Sequence, residues 1–518
     1  MKKSIFLILI FFSINLVSQD FEVIKSKEFK DEKKIFGGIS YLTYDNNGGV
    51  FAIRRHKKGY YISHFNNSLK LNSQYNLQTK GEIEAAYVSE NKLKLIDYQY
   101  NRKEKRGVYK VFSSNLDSLK FSSKEFFSIS KDQMKKYGEI KGAYGQVFDN
   151  LFKKGIQKKD QKYFNKFLYS KGKKYFALSF DVDKKENDAH HFYVFDSEFN
   201  LVYDKLILKE IKDELFVYQD QIIDKNSNLF CIAKVYDENN LKSKDDFYFN
   251  LSKVSKEKEI QSVDFKHPGK FIESLSIIRE NNFITCIGFY KNEKDSYYDG
   301  VFIVKVDPVT LNIIHKVFNP FSEEFLNNKF NNGKKRKKKK EKIKNLKIKN
   351  IKLRENQELL IEAEEDYVIV SRNSKGTNRY YRHFHDIISF KIDESGSLIK
   401  VKNLKKRQGA AHRSSAVLNC SFTSLHKDDY HFYFVNTSDK IEANKKSIFI
   451  PGRSYKKTDL YVVYYKDNGD FKHQKLIDNN ESKVYFDMSR GISVDEKNTV
   501  ILFGRKNKKY QLVKIRIK

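Results

Sequence analysis

One pattern constrains the fold of this chain more than any other. Two apolar, aromatic-rich strand-like stretches joined by a polar loop recur along it, and the second of each pair ends in a turn. The second stretches include "YYISHFNNSL", "GVYKVFSSNL", "HFYVFDSEFNL", "FYFNLSKV", "VFIVKVDPVTL", "DIISFKIDESGSL" and "LYVVYYKDNGDF", with "YQLVKIRIK" as an eighth. Their partners, "VFAIR", "YFALS", "FCIAK", "TCIGF", "LIEAE" and "ILFGR", place Ala52, Ala177, Ala233, Gly288, Ala363 and Gly504 in a similar slot. Small residues in a fixed slot suit sheets that approach one another closely. A third stretch precedes each pair across a short turn such as "DNNGG", "DKNSN" or "DEKN", rich in the residues that tolerate left-handed or locally hydrogen-bonded backbone. A fourth follows, as in "LVYDKLIL" and "LNIIHKVF".

Four strands per unit and eight units predict an all-β fold, a β-propeller of four-stranded blades, with seven blades as the alternative. The turns after the third strands fall at Asn66, Ser113, Asp196, Ser252, Asp307, Asp393 and Asp467, at intervals of 47, 83, 56, 55, 86 and 74. The long intervals call for insertions. A helical insertion is expected over about 129–166, a charged Lys-rich one over about 321–349, and a long polar loop over 441–457 in blade 7. The eighth unit supplies three strands, and "FEVIKSKEF" near the N-terminus is expected to add its fourth and close the ring.

The first twenty residues, "MKKSIFLILIFFSINLVSQD", read as a secretory signal: two lysines, an apolar stretch from Ile5 to Val17, then small or polar residues. Residues 1–19 are expected to be the signal peptide and 20–518 a single propeller domain in the periplasm or outside the cell. No later run reaches the roughly 18 apolar residues of a spanning helix. Such a route excludes intracellular nucleic acid as a partner, although the net charge is +33. The excess is spread along the chain. It consists of 83 Lys against 16 Arg, and Arg is the better residue for bidentate phosphate contacts. Lys334–Lys352 carries twelve basic residues against Glu341 alone and is expected to be an exposed insert between two blades.

Three stretches carry a family resemblance: "NPFSEEFLNNKF", the long segment from "LLIEAEEDYVIVSR" through "NRYYRHFHDIISFKIDESGSLIKVKNLKKRQ", and "FLYSKGKKYFALSFD". In these the chain resembles a family of large secreted β-propeller proteins of Gram-negative bacteria for which no activity is known. The resemblance implies a fold and a lineage, with no catalytic residues to carry over.

Candidate chemistry sits on the loops that join second to third strands, which gather on one face of a propeller with the blade-to-blade crossings. The few arginines concentrate there with Tyr and His: Arg54, Arg55 and His56, then Arg102 and Arg106, His190 and His191, Tyr297 and Tyr298, then Arg379, Tyr380, Tyr381, Arg382 and His383, and finally Arg453 and Arg505. Arg beside Tyr suits an acidic polymer or a protein partner through bidentate and stacking contacts. A monomeric, non-catalytic binding or scaffold propeller is the expected function, with a polysaccharide-acting lyase or hydrolase on an acidic glycan as the alternative. No cofactor or metal is expected. His383 and His385 share a strand face, but no third ligand is visible, and Lys185 and Glu186 spoil the calcium-like run "DVDKKEND". Glu364, Glu365 and Asp366 read as a solvated strand end. Cys231 and Cys286 occupy matching slots and read as two buried free thiols.

Overall fold

The computed structural model describes residues 21–31, 39–130, 133, 166–182, 187–212, 215–236, 247–292, 297–330, 343, 345–372, 376–411, 420–437, 441–443, 448–451, 458–482 and 484–518. Eight antiparallel sheets follow one another around a ring. Blade 1 runs from Tyr41–Tyr44 through Val50–His56 and Gly59–Phe65 to Leu71–Gln78. Blade 2 begins at Glu82–Ser89, blade 3 at Lys166–Tyr169, blade 4 at Phe216–Ile223, blade 5 at Phe271–Arg279, blade 6 at Leu346–Leu353 and blade 7 at Thr423–Lys427. Blade 8 takes Thr499–Lys506 and Lys509–Ile517 from the C-terminal end and its outermost strand, Phe21–Lys25, from the other end of the chain. That antiparallel pairing, Phe21 opposite Ile517, closes the ring as the sequence predicts.

The burial of each strand explains its composition. Second and third strands pack on both faces against neighbouring blades, so Leu229–Tyr236 and Gly300–Val306 are buried almost throughout. Fourth strands lie at the rim, and Leu71–Gln78 is mostly exposed. Eight hydrophobic clusters result, one at each blade-to-blade contact. Phe230, Phe249 and Phe302, for example, join blades 4 and 5, while Ala52, Tyr61 and Phe503 join blades 1 and 8. Ala52, Ala177, Ala233 and Ala363 of the small-residue slot fall in these clusters, whereas the glycines make room for segments of their own blades. A Cβ on Gly288 would lie 2.4 Å from the Ser274 carbonyl oxygen, and one on Gly504 2.6 Å from Val484. Cys231 and Cys286 are buried and form no disulfide, as expected, and lie in different clusters, between blades 3 and 4 and between blades 4 and 5. Burial pushes the Cys286 thiol pKa up.

Polar groups complete the joints. Asn66, Asp196, Asp307 and Asp393 each accept backbone N–H bonds from residues two to four positions ahead, fixing the turn after the third strand. Lysines then reach from one blade to that turn in the next. Lys94 Nζ donates to Ser197 O at 3.1 Å, Lys253 Nζ to Val309 O at 3.3 Å, and Lys514 Nζ to Asn67 O at 2.7 Å. Lys391 Nζ lies 2.9 Å from Asp467 Oδ2. Part of the lysine excess is therefore mortar between blades.

The expected helical insertion falls almost wholly outside the described residues, as do most of the Lys run and residues 1–20. Glu323–Phe330, within the charged insertion, is a helix whose Phe325 packs between blades 5 and 6. The blade 7 loop departs from expectation. Its Ile448–Pro451 pairs in parallel with Lys405–Arg407, adding an edge to blade 6, because Ile450 and Ile441 are apolar enough to require cover. No helix of the described residues is long and apolar enough to cross a membrane.

Candidate functional site

On the loop-bearing face, between blades 1 and 2, lies a cleft of about 670 Å³. Three pieces of chain build it. The tight hairpin from His56 to Gly59 forms one wall, with Gly59 at φ 150° and no room for a side chain beside Leu77 O. The crossing from Gln78 to Gly81 forms a second. Asp97, Gln99, Lys110 and Phe112 of blade 2 form the third. Gly81 is required here because a Cβ would strike the Asp97 carboxylate at 2.3 Å.

The rim is cationic. Lys57, Lys58 and Lys80 are exposed, and Lys110 is half-buried. No ion pair engages any of the four among the described residues. His56 is held rigidly. Its Nε2 lies 2.8 Å from Asn76 Oδ1, its Nδ1 accepts from the Lys58 backbone N–H at 3.2 Å, and its ring packs on Tyr61. Arg55 pairs with Glu82 and lies over the Tyr60 ring. Asp97 forms the floor. Burial pushes its carboxyl pKa up to about 6, against hydrogen bonds from the Thr79 hydroxyl and the charges of Lys110 and Arg55. Glu84, at a bulge of the innermost strand, is pushed up to about 8 by burial and then by Glu82 and Asp97. Three exposed ammoniums, with Lys110 acting on a carboxyl that neutralises near pH 6, make a receptor for an anionic group.

Blade 6 holds the second concentration of predicted residues. Its second, third and fourth strands, Leu359–Arg372, Asn378–Ile392 and Leu398–Ala411, run to 14, 15 and 14 residues. Arg382 turns inward and grips Asp366 with two bonds of 2.7 and 2.6 Å. His383 stacks on Tyr367 with ring centroids 5.1 Å apart, and the Tyr367 hydroxyl lies 3.1 Å from His385 Nδ1. Burial, then Arg407, lowers the His383 pKa, while burial, then His383, lowers His385 to about 4. The pair forms part of an aromatic cluster, and no group of three potential metal ligands is gathered among the described residues. Arg379 and Tyr381 are exposed, and Tyr380 is half-buried.

The carboxylates below this cluster correct the solvated-strand-end reading. Glu362, Glu364 and Asp366 are buried. Glu364 meets Lys406 Nζ at 2.6 Å and the Ser421 hydroxyl at 2.8 Å, with Lys349 at 3.4 Å. Although burial opposes it, Arg382, Lys349 and Lys347 hold the Asp366 pKa well below the usual range. Glu362, Glu364 and Asp366 lie two residues apart, so strand alternation aims them at one side, and a bulge lies between the last two.

The remaining candidates are dispersed. Arg54 is buried, its guanidinium bonded to Asp31 at two points 2.8 Å long, with Phe29 beneath it. Arg106 pairs with Glu104 and Glu125, and Arg102 is exposed beside it. His191 bonds Asp204 at 2.7 Å and Tyr193 at 3.0 Å. His190 is buried against Tyr218, and the Tyr298 hydroxyl donates to Glu273 at 2.5 Å. Arg505 is half-buried opposite Tyr510 and Tyr485, and Arg453 lies outside the described residues.

No family model and no curated protein matches the chain. Among solved structures it is similar to BamB from Moraxella catarrhalis, at 7% identity over 95% of this chain and 99% of that one, with a TM-score of 0.32. It is similar to the polysaccharide lyase Uly1 at 11% identity, over 86% and 92%, with a TM-score of 0.37. A prolyl endopeptidase matches at 7% identity over 83% of this chain, with a TM-score of 0.34, and this chain spans 46% of its length. None of the three likenesses bears on function.

Of the predicted residues, Arg55 and His56 line the cleft. The contiguous "RRHKKG" of residues 54–59 was the available signal, since Lys57 and Lys58 adjoin the residues singled out. Lys80, Asp97 and Lys110 join them only when blades 1 and 2 pack, and no local pattern announces that.

Proposed function

We propose that the protein is an exported, non-catalytic binding propeller that takes an anionic group of a polymer or protein partner in the cleft between blades 1 and 2. The observation that carries this reading is the set of exposed cations, Lys57, Lys58 and Lys80, that line an open cavity without an ion-pair partner among the described residues, joined there by Lys110. Cations elsewhere in the described structure are widely answered by carboxylates or carbonyls, as Arg54, Lys406 and Lys94 are. Export rests on the signal-like residues 1–19 and membership of the secreted propeller family on the three resembling stretches. Calorimetric titration with an oligouronate tests the reading. Binding that weakens with salt and is lost on Lys57→Glu with Lys58→Glu supports it. Equal binding by that double variant rejects it.

A second reading, an enzyme acting on an acidic polysaccharide, draws on Asp97. A carboxyl that titrates near 6 beneath cations that neutralise a uronate has the character of a general acid or base. New reducing ends or unsaturated products from a polyuronate, abolished by Asp97→Asn, would establish it. Their absence leaves binding alone.

A further inference from the structure

Blade 6 carries a bare strand edge among the described residues. Its innermost strand, Leu346–Leu353, stops pairing at Leu346 opposite Glu365. The second strand continues seven residues further, to Arg372, paired with the third strand on one side only. Asp366 N still bonds to Asn345 O at 3.0 Å, but from Tyr367 onward no strand of the described residues lies on the inner side. Since the missing neighbour is the innermost strand, this edge looks toward the ring axis on the loop-bearing face. Val368, Ile369 and Val370 are exposed at 36%, 48% and 53%, and Tyr381, opposite Ile369, at 47%.

Proteins block such edges with charge, proline or bulges. Several outer strands here follow that rule, although Leu71–Gln78 of blade 1 carries neither charge nor proline: Ser122–Ser130 carries Lys124 and Glu125, Leu201–Lys212 carries Asp204, Lys205, Lys209 and Glu210, and Lys472–Ile477 carries Lys472 and Lys475. Tyr367–Ser371 has neither charge nor proline. Its surroundings are cationic at both ends. At the tip stand Arg372, opposite Asn378, and Arg379, opposite Ser371; at the base the exposed Lys347 joins Lys349 and Arg382 around Asp366, with Lys349 also 3.4 Å from Glu364.

We infer that this edge accepts an extended segment of an acidic partner protein as an added β-strand. The backbone of Tyr367–Ser371 supplies the hydrogen bonds, Val368 and Val370 contact alternate side chains on one face and Ile369 and Tyr381 those on the other, and acidic residues at each end of the segment meet the cationic flanks. A second copy of this chain is the less fitting occupant, because it would set Arg372 against the cation-rich base of its neighbour. This surface is separate from the cleft of blades 1 and 2.

The test uses the full mature chain and a synthetic capped ten-residue peptide, alternating Val and Thr in the centre with two Glu at each end. It is expected to bind, to protect amides between Tyr367 and Ser371 from hydrogen exchange, and to bind at least ~10-fold more weakly when its end residues are Lys or its outward amides are N-methylated. Val370→Lys should also weaken it at least ~10-fold, while Lys57→Glu with Lys58→Glu leaves it unchanged. No binding at millimolar peptide, or equal binding of the N-methylated peptide, overturns the inference. So does a chain that sediments as a dimer and becomes monomeric on Val370→Lys, since a second copy then occupies the edge.

Discussion

The base of blade 6 and the cleft between blades 1 and 2 are built from the same residue types and end in opposite states. In blade 6 each buried charge is answered: Lys406 by Glu364, Arg382 by Asp366, and Lys329 by Asp386 and Glu365. In the cleft Lys57, Lys58, Lys80 and Lys110 face an open cavity with Asp97 at its floor. Buried charges have to be paired because an uncompensated one in a low-dielectric interior is strongly destabilising. Exposed ammoniums carry no such requirement, so their clustering around a cavity leaves charge free for a ligand. What a cation does in this molecule follows from its depth and its partners.

Breaking the blade 6 pairs should have the largest effect. Lys406→Met takes the nearest cation from the buried Glu364 carboxylate and leaves it Ser421 and the more distant Lys349, and urea unfolding should show a loss of about 3 kcal/mol. Asp31→Asn comes next. It removes the charge that holds Arg54 and the N-terminal segment against blade 1, and about 3 kcal/mol should be lost in the same measurement. Substitutions in the cleft should do the reverse. Lys57→Glu with Lys58→Glu should change stability by within about 0.5 kcal/mol while weakening an oligouronate at least ~10-fold by calorimetry.

The smallest effect is a matter of pH. Burial raises the Asp97 pKa from its unfolded value to about 6, so its destabilising contribution is absent below the unfolded pKa, grows between the two values, and is fully present above about 6. Anion affinity should accordingly rise as pH falls through about 6, where the floor loses its negative charge. Asp97→Asn should flatten that part of the profile and bind more tightly at pH 7.5.

Much of the fold was legible because propeller strands are short, numerous and closed by Asx turns. Asp196, Asp307 and Asp393 mark turns in sequence and accept the turn bonds in space. The closing strand Phe21–Lys25 was legible by subtraction, since the last unit lacked one. The site was less legible for two reasons. Arg54 and Arg55 look alike in sequence, yet adjacent strand residues point to opposite faces, so one meets Asp31 in the core and the other Glu82 at the cleft. Glu364 and Asp366 looked solvated because their partners, Lys406, Arg382 and Lys349, come from three other strands of blade 6. A long-range pair of this kind leaves no trace within a window of a few residues.

Lysine acetylation, read by mass spectrometry with and without an oligouronate, tests the central contrast most directly. Lys57, Lys58 and Lys80 should react quickly in the free protein and be protected by the ligand, while Lys406 and Lys305, buried against carboxylates, should react slowly in both states. Protection that falls on lysines away from the cleft, with Lys57, Lys58 and Lys80 equally reactive throughout, would contradict the account.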